Sequence, residues 1–126
     1  SLCFPASADS IPTSLGQEDH VSMGSIGARK LHRVLDNLEH ILAVELLCAA
    51  QAFDYRRPLM SGPVIEAVHQ RVREVIGHAE EDRFFGGDLE NAWKLIRNEL
   101  TEILHRSAAE NGIDLFGRDG KPYRWG

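Results

Sequence analysis

Glu66/His69 and Glu102/His105 form two Glu-x-x-His pairs, a spacing that in some helical bundles holds two metal ions. Such ligands must project into a bundle core. Helical residues lie about 100° apart around the axis, so the neighbouring apolar residues reveal which way each pair faces. Glu102 and His105 fall opposite the stripe of Ile96, Leu100 and Ile103, and Glu66 falls away from Val68, Val72 and Val75. Both pairs are expected on solvated faces, and no metal is predicted. No His-Glu-x-x-His or Cys-x-x-Cys spacing offers another site. Glu45 differs, because it interrupts an apolar stripe between Leu42 and Leu46. A buried carboxylate must be paired, hydrogen-bonded or neutral. A salt bridge to a neighbouring helix or subunit is the expected explanation, with a direct catalytic role as its rival. Cys48, in the same apolar run, reads as a small core residue. Met60-Ser61-Gly62 reads as a loop with a helix cap, and Arg118, Lys121 and Arg124 are too few for a binding patch. Gln17-Glu18-Asp19-His20 remains. By spacing it is a polar helix start, where a first-turn carboxylate is favoured in its charged form and Glu18 would accept hydrogen bonds at neutral pH.

The elements that must position these residues are helices. Residues 1–18 read as an extended loop leading into the first helix, with Pro5 and Pro12 biasing their predecessors toward extended backbone. Ser14-Leu15-Gly16-Gln17 fits a capping box, so a helix is expected to begin near Gln17–His20. Its stripe runs through Leu31, Val34, Leu35, Leu38, Ile41, Leu42, Leu46, Ala49 and Phe53. Between Ile41 and Phe53 the other faces turn apolar as well, and a helix apolar all round is buried all round. A chain this short cannot supply that burial, which implies helices from other subunits or from other parts of the same protein. Arg56-Arg57-Pro58 ends the helix. Pro63 opens a second one, with Val64, Ile65, Val68, Val72, Val75 and Ile76 on its apolar face and Gly77 as its stop. Asp88 caps a third, whose stripe continues from Leu89 to Leu104 and ends at Asn111-Gly112. The tail, residues 113–126, has no assigned role. The expected fold is an all-α, long-helix bundle, a single helical segment over residues 1–126.

Composition narrows the classes of function. Of 126 residues, 14 are Lys or Arg and 19 are Asp or Glu, a formal net charge of −5. That balance argues against a general nucleic-acid binder, which needs a basic face. No apolar run reaches the ~20 residues of a membrane span, and no secretory signal pattern is seen. Two cysteines, Cys3 and Cys48, make no disulfide framework, so a cytoplasmic setting is expected. The chain opens at Ser1 without Met, which suggests a piece of a longer protein.

The stretch from Pro5 to Ser14, followed by Gln17-Glu18-Asp19-His20-Val21-Ser22-Met23-Gly24, resembles the histidine ammonia-lyases of the aromatic amino acid ammonia-lyase family. Ile41 to Gln51 resembles that family's central helix, and Glu81-Asp82-Arg83 its later acidic turn. The likeness covers residues 5–97, about the last quarter of a member, and stops near residue 105. It implies a helical homotetramer whose active sites draw on three subunits, and non-oxidative deamination of L-histidine to trans-urocanate and ammonia in histidine catabolism. It also implies the cofactor 4-methylidene-imidazol-5-one (MIO), an electrophile made from an internal Ala-Ser-Gly that turns the amino group into a leaving group. This sequence has no Ala-Ser-Gly. The expectation is therefore the C-terminal portion of such an enzyme, inactive alone because it cannot form the electrophile.

By the same resemblance Glu18 is the catalytic and substrate-contacting residue. It stands where histidine-specific members have glutamate and phenylalanine- or tyrosine-specific relatives have glutamine. A carboxylate accepts a charge-assisted hydrogen bond from an imidazole N–H, whereas a benzyl group would leave it desolvated without return. Gln17 joins it in substrate binding, and His20 is in support. Two alternatives stay open. One keeps the family with another substrate, as a tyrosine or phenylalanine ammonia-lyase or an aminomutase. The other is a non-catalytic helical oligomerisation module, which the absence of Ala-Ser-Gly from a longer reading frame would favour.

Overall fold

The computed structural model describes residues 2–115; of Asp9, Thr13, Ser14, Glu18, Asp19 and His20 it describes the backbone only. The expectations for the tail from residue 116 onward lie outside the described residues. The chain divides into two compact units, residues 1–39 and 40–126.

The first unit begins with a short 3-10 turn, Ala6–Asp9, and continues into a small hairpin of β1, Pro12–Thr13, and β2, Glu18–His20. The strands are antiparallel, with Thr13 opposite Glu18 and Pro12 opposite His20, and a bulge between. The tight turn joining them puts Leu15 at φ 56° and Gly16 at φ 83°. Two successive left-handed residues match the twist of a hairpin, and this use of the backbone overrides the capping box. The first helix therefore begins later than the sequence suggested. α1 spans Gly24–Asp54, and Gln17–His20 belongs to the hairpin rather than to a helix. The Met23 carbonyl accepts the first helical bond, from Gly27 N at 2.9 Å, and the Ser22 hydroxyl accepts the Gly24 N–H at 3.4 Å. Ser10 Oγ donates to the Val21 carbonyl at 2.6 Å, which ties the strand exit to the opening loop. Lys30 donates to the Phe4 carbonyl and lies over the Phe4 ring, 5.8 Å from its centre.

The second unit contains the rest of α1, α2 (Pro63–Val75), α3 (Gly86–Asn98) and α4 (Leu100–Glu110). Among the described residues the fold is all-α apart from the hairpin, as expected. Its core is built on Ala43, Ala50, Val72, Ile76, Ala92 and Leu95, flanked by Leu46, Leu47, Val68, Trp93 and Ile96. Ala43 and Ala50 lie two turns apart on α1, and their small side chains let the other helices approach closely. The larger residues beside them, Ile41, Leu42 and Val44, are exposed in this chain. So are Glu45 and Cys48, which corrects the sequence reading of both as buried. The core in this unit touches only the alanine face of α1, and those two residues point elsewhere.

α2 starts at Pro63 as expected; Val64 and Val72 are its buried anchors, and Ile76, just after its end, is buried as well. The long third helix divides in two at Glu99, whose backbone leaves the helical range at φ −127°, ψ −32°. No glycine or proline marks the break. Glu99 instead reaches Arg71 of α2 at 2.9 Å, and the turn lets α4 lie along α2, where Ser107 Oγ donates to the Pro63 carbonyl at 3.5 Å. α4 stops where the sequence indicated. Gly112 is left-handed at φ 63°, Ile113 N donates to the Ala108 carbonyl at 2.8 Å and Gly112 N to Ala109 at 3.2 Å, a Schellman closure.

Candidate functional site

The residues singled out for substrate contact lie on the hairpin of the first unit. Glu18 opens β2 and Gln17 is the turn residue before it. Six positions separate Glu18 from the first residue of α1, so the helix-terminus argument for its charge does not apply. Its position is set by pairing with Thr13 across the hairpin. The Gln17 side chain is exposed, with an amide able to donate and accept. The side chains of Glu18 and His20 lie outside the description. Leu15, at the turn, is fully exposed in a left-handed conformation that costs a branched side chain energy.

The second unit holds a polar cluster that spacing did not reveal. Asp54, the last residue of α1, receives three donors. His69 Nε2 lies 2.7 Å from Oδ1, while His78 Nδ1 at 2.7 Å and an Arg73 terminal nitrogen at 2.8 Å share Oδ2. The Asp54 and His69 side chains are only 19% and 12% exposed. Burial pushes the Asp54 carboxyl up, but the hydrogen bonds from His78 and His69 and the Arg73 charge outweigh it and hold the group below its ordinary range. Arg57 grips Glu66 with both terminal nitrogens, at 3.2 and 2.8 Å, and Ser61 N donates to the same carboxylate at 2.7 Å. Those bonds hold Glu66 below its usual range. Glu66 and His69 are thus tied into a network joining α1 to α2, not spread on a solvated face. The end of α1 lies beside this face of α2, a neighbour that the apolar stripe of α2 does not reveal. Glu102 and His105 are exposed, as read.

Gln51, one turn before Asp54, pairs with a backbone unit of the α2–α3 link. Its Nε2 donates to the Ala79 carbonyl at 2.7 Å, and Ala79 N donates to its Oε1 at 3.2 Å. Arg83 then clips the link to α3, reaching the Gly77 carbonyl at 3.0 Å and Asp88 at 2.9 Å. Cys48 lines an apolar groove of about 700 Å³, walled by α1, the link and the start of α3. Among the described residues no group of His, Cys, Asp and Glu has the arrangement of a metal site, and no helix is long and apolar enough to cross a membrane.

The family model described as "Aromatic amino acid lyase" matches residues 1–74. A histidine ammonia-lyase of Natranaerobius thermophilus is 54% identical over 111 residues, which cover 87% of this chain and 22% of the relative. One from Legionella pneumophila is 42% identical over 104 residues, covering 82% and 21%. The crystal structure of histidine ammonia-lyase from Trypanosoma cruzi superposes with a TM-score of 0.76 at 46% identity, over 84% of this chain and 21% of that one. Tyrosine aminomutase from Streptomyces globisporus superposes at 0.73 with 38% identity, over 82% and 20%. The chain spans about a fifth of the length of the relatives it matches.

Proposed function

The chain belongs to the aromatic amino acid lyase family, and from that premise we propose that it is the C-terminal portion of an enzyme that deaminates L-histidine. In that reaction the Cα–N bond breaks, a β-proton leaves and a double bond forms, giving trans-urocanate and ammonia. The 54% identity to a histidine ammonia-lyase carries this reading. Glu18 is the proposed substrate contact, its carboxylate accepting a hydrogen bond from the imidazole N–H, with Gln17 beside it. The hairpin supports that role by supplying a backbone register that does not depend on helix fraying. Glu18 is the proposed catalytic residue, and Gln17 is proposed for substrate binding only. In this family MIO supplies the electrophile. The 126 residues contain no Ala-Ser-Gly from which to form it, so no step through it is assigned to this chain. The chain alone is proposed to be inactive and to work within a cytoplasmic homotetramer of the longer protein.

Replacing Glu18 by Gln in that longer protein is expected to lower kcat/KM for histidine roughly 10- to 100-fold, the worth of one charge-assisted hydrogen bond. Unchanged histidine kinetics would remove Glu18 from the site. The likeness to tyrosine aminomutase favours a second reading, with another aromatic amino acid as substrate. Parallel assays on histidine, tyrosine and phenylalanine separate the two. A preference for tyrosine that Glu18→Gln leaves intact would select the second.

A further inference from the structure

Asp54 accepts from two histidines through different ring nitrogens, and the second nitrogen of each ring faces a donor. His69 donates through Nε2, and its Nδ1 lies 3.1 Å from an Arg57 terminal nitrogen. A guanidinium has only donors, so His69 Nδ1 must be the acceptor and the ring is the neutral Nε2–H tautomer. His78 donates through Nδ1, and its Nε2 lies 3.3 Å from Gln51 Nε2. The Gln51 amide is oriented by the Ala79 peptide, which takes its oxygen on the N–H side and its nitrogen on the carbonyl side. With one N–H on Ala79, Gln51 turns its other toward His78 Nε2 and the Tyr55 hydroxyl, 3.4 Å away, and that ring is the neutral Nδ1–H tautomer.

The charges around the cluster are already matched. α1 contributes Gln51 and Asp54, and the Tyr55 ring edge and Arg57 follow it. α2 contributes Glu66, His69 and Arg73. The link contributes His78 and Arg83, whose guanidinium caps the Gly77 and His78 carbonyls. Asp54 and Glu66 balance Arg73 and Arg57, and Asp88 of α3 balances Arg83. A proton added to either ring leaves its bond to Asp54 in place but turns the opposite nitrogen into a donor facing a donor. At His69 the ring then opposes Arg57. At His78 it opposes Gln51, whose amide can turn its oxygen to the ring only by breaking both bonds to Ala79.

We propose that His69 and His78, held as opposite neutral tautomers about Asp54, form an acid-sensitive latch that fastens α2 and the α2–α3 link to the end of α1. This inference does not rest on the proposed reaction. Histidine-selective ¹⁵N NMR of the 126-residue chain at about pH 7.5 should find His69 protonated on Nε2 and His78 on Nδ1. Averaged tautomers, or the reverse pair, would overturn the assignment. On acidification to about pH 5.5, Ala79 amide exchange, corrected for its intrinsic pH dependence, should rise roughly tenfold, as for loss of one hydrogen bond. The double variant His69→Gln, His78→Asn keeps a donor near each position but cannot take a second proton, and its Ala79 exchange should stay flat over that range. A rise as large in the double variant, or no rise in the unaltered chain, would refute the latch.

Discussion

Asp54 places a negative charge at the end of a helix whose dipole already concentrates negative potential there, in a last turn with no basic residue of its own. Three donors from α2 and the link offset that cost. Asp54→Ala would leave Arg73 and both imidazole N–H groups without their acceptor, and is expected to lower stability by about 2 kcal/mol. Asp54→Asn, which keeps one acceptor oxygen, should lose less. Urea unfolding of the two variants measures the difference, and equal losses would argue against the hydrogen bonds. Because Asp54 and Glu66 are held below the ordinary carboxylate range, the folded chain binds their protons less readily than the unfolded chain. Their contribution is full above about pH 4 and is lost as pH falls through the depressed values. Unfolding midpoints measured at falling pH should drop in that window, less steeply in Asp54→Asn. At Leu15 the backbone is left-handed and the side chain fully exposed. Leu15→Asn should stabilise the isolated chain by about 0.5 kcal/mol, read from its thermal midpoint.

At the scale of elements, apolar period located the helical stretches, read as three where the structure has four, and junctions depended on partners distant in sequence. α2 begins at Pro63 and α4 stops just before the left-handed Gly112 because proline and glycine act through their own backbone. The break between α3 and α4 has no such local cause. It follows from α4 packing on α2 and from Arg71 reaching Glu99, 28 positions away. The capping box at Ser14–Gln17 failed for a similar reason, since a hairpin claimed those residues first. Ile76, almost wholly buried just after α2, anchors the meeting of α1, α2 and α3. Ile76→Ala is expected to cost about 2–4 kcal/mol and Ile76→Val about 1. Denaturant midpoints for the pair test whether this small core is the centre of the unit, and equal, small shifts would show that it is not.

At the scale of the whole chain, apolar surface is the dominant feature. Leu31, Val34, Leu35 and Leu38 in the first unit, and Ile41, Leu42 and Val44 in the second, are each about half exposed on α1, large apolar side chains with little cover inside their own unit. Burial of that surface by other helices fits the proposed tetramer of a longer protein. The isolated chain is therefore expected to sediment above its monomer mass. Leu35→Lys with Leu42→Lys should shift it toward the monomer, and a wild-type monomer at high concentration would contradict the expectation.

By itself the sequence determined the helical class, the family and the approximate helical stretches, because apolar period and a specific run such as Gln17 to Gly24 are local properties of the chain. It also carried the likeness from which Glu18 is proposed as a substrate contact. The tertiary structure decided that Gln17–His20 is a hairpin, that Glu45 and Cys48 are exposed, and that α3 and α4 are separate helices. It alone revealed the Asp54 cluster. His69 and His78 stand 15 and 24 positions from Asp54, and neither spacing carries a signal, because side chains meet there only when three elements pack together.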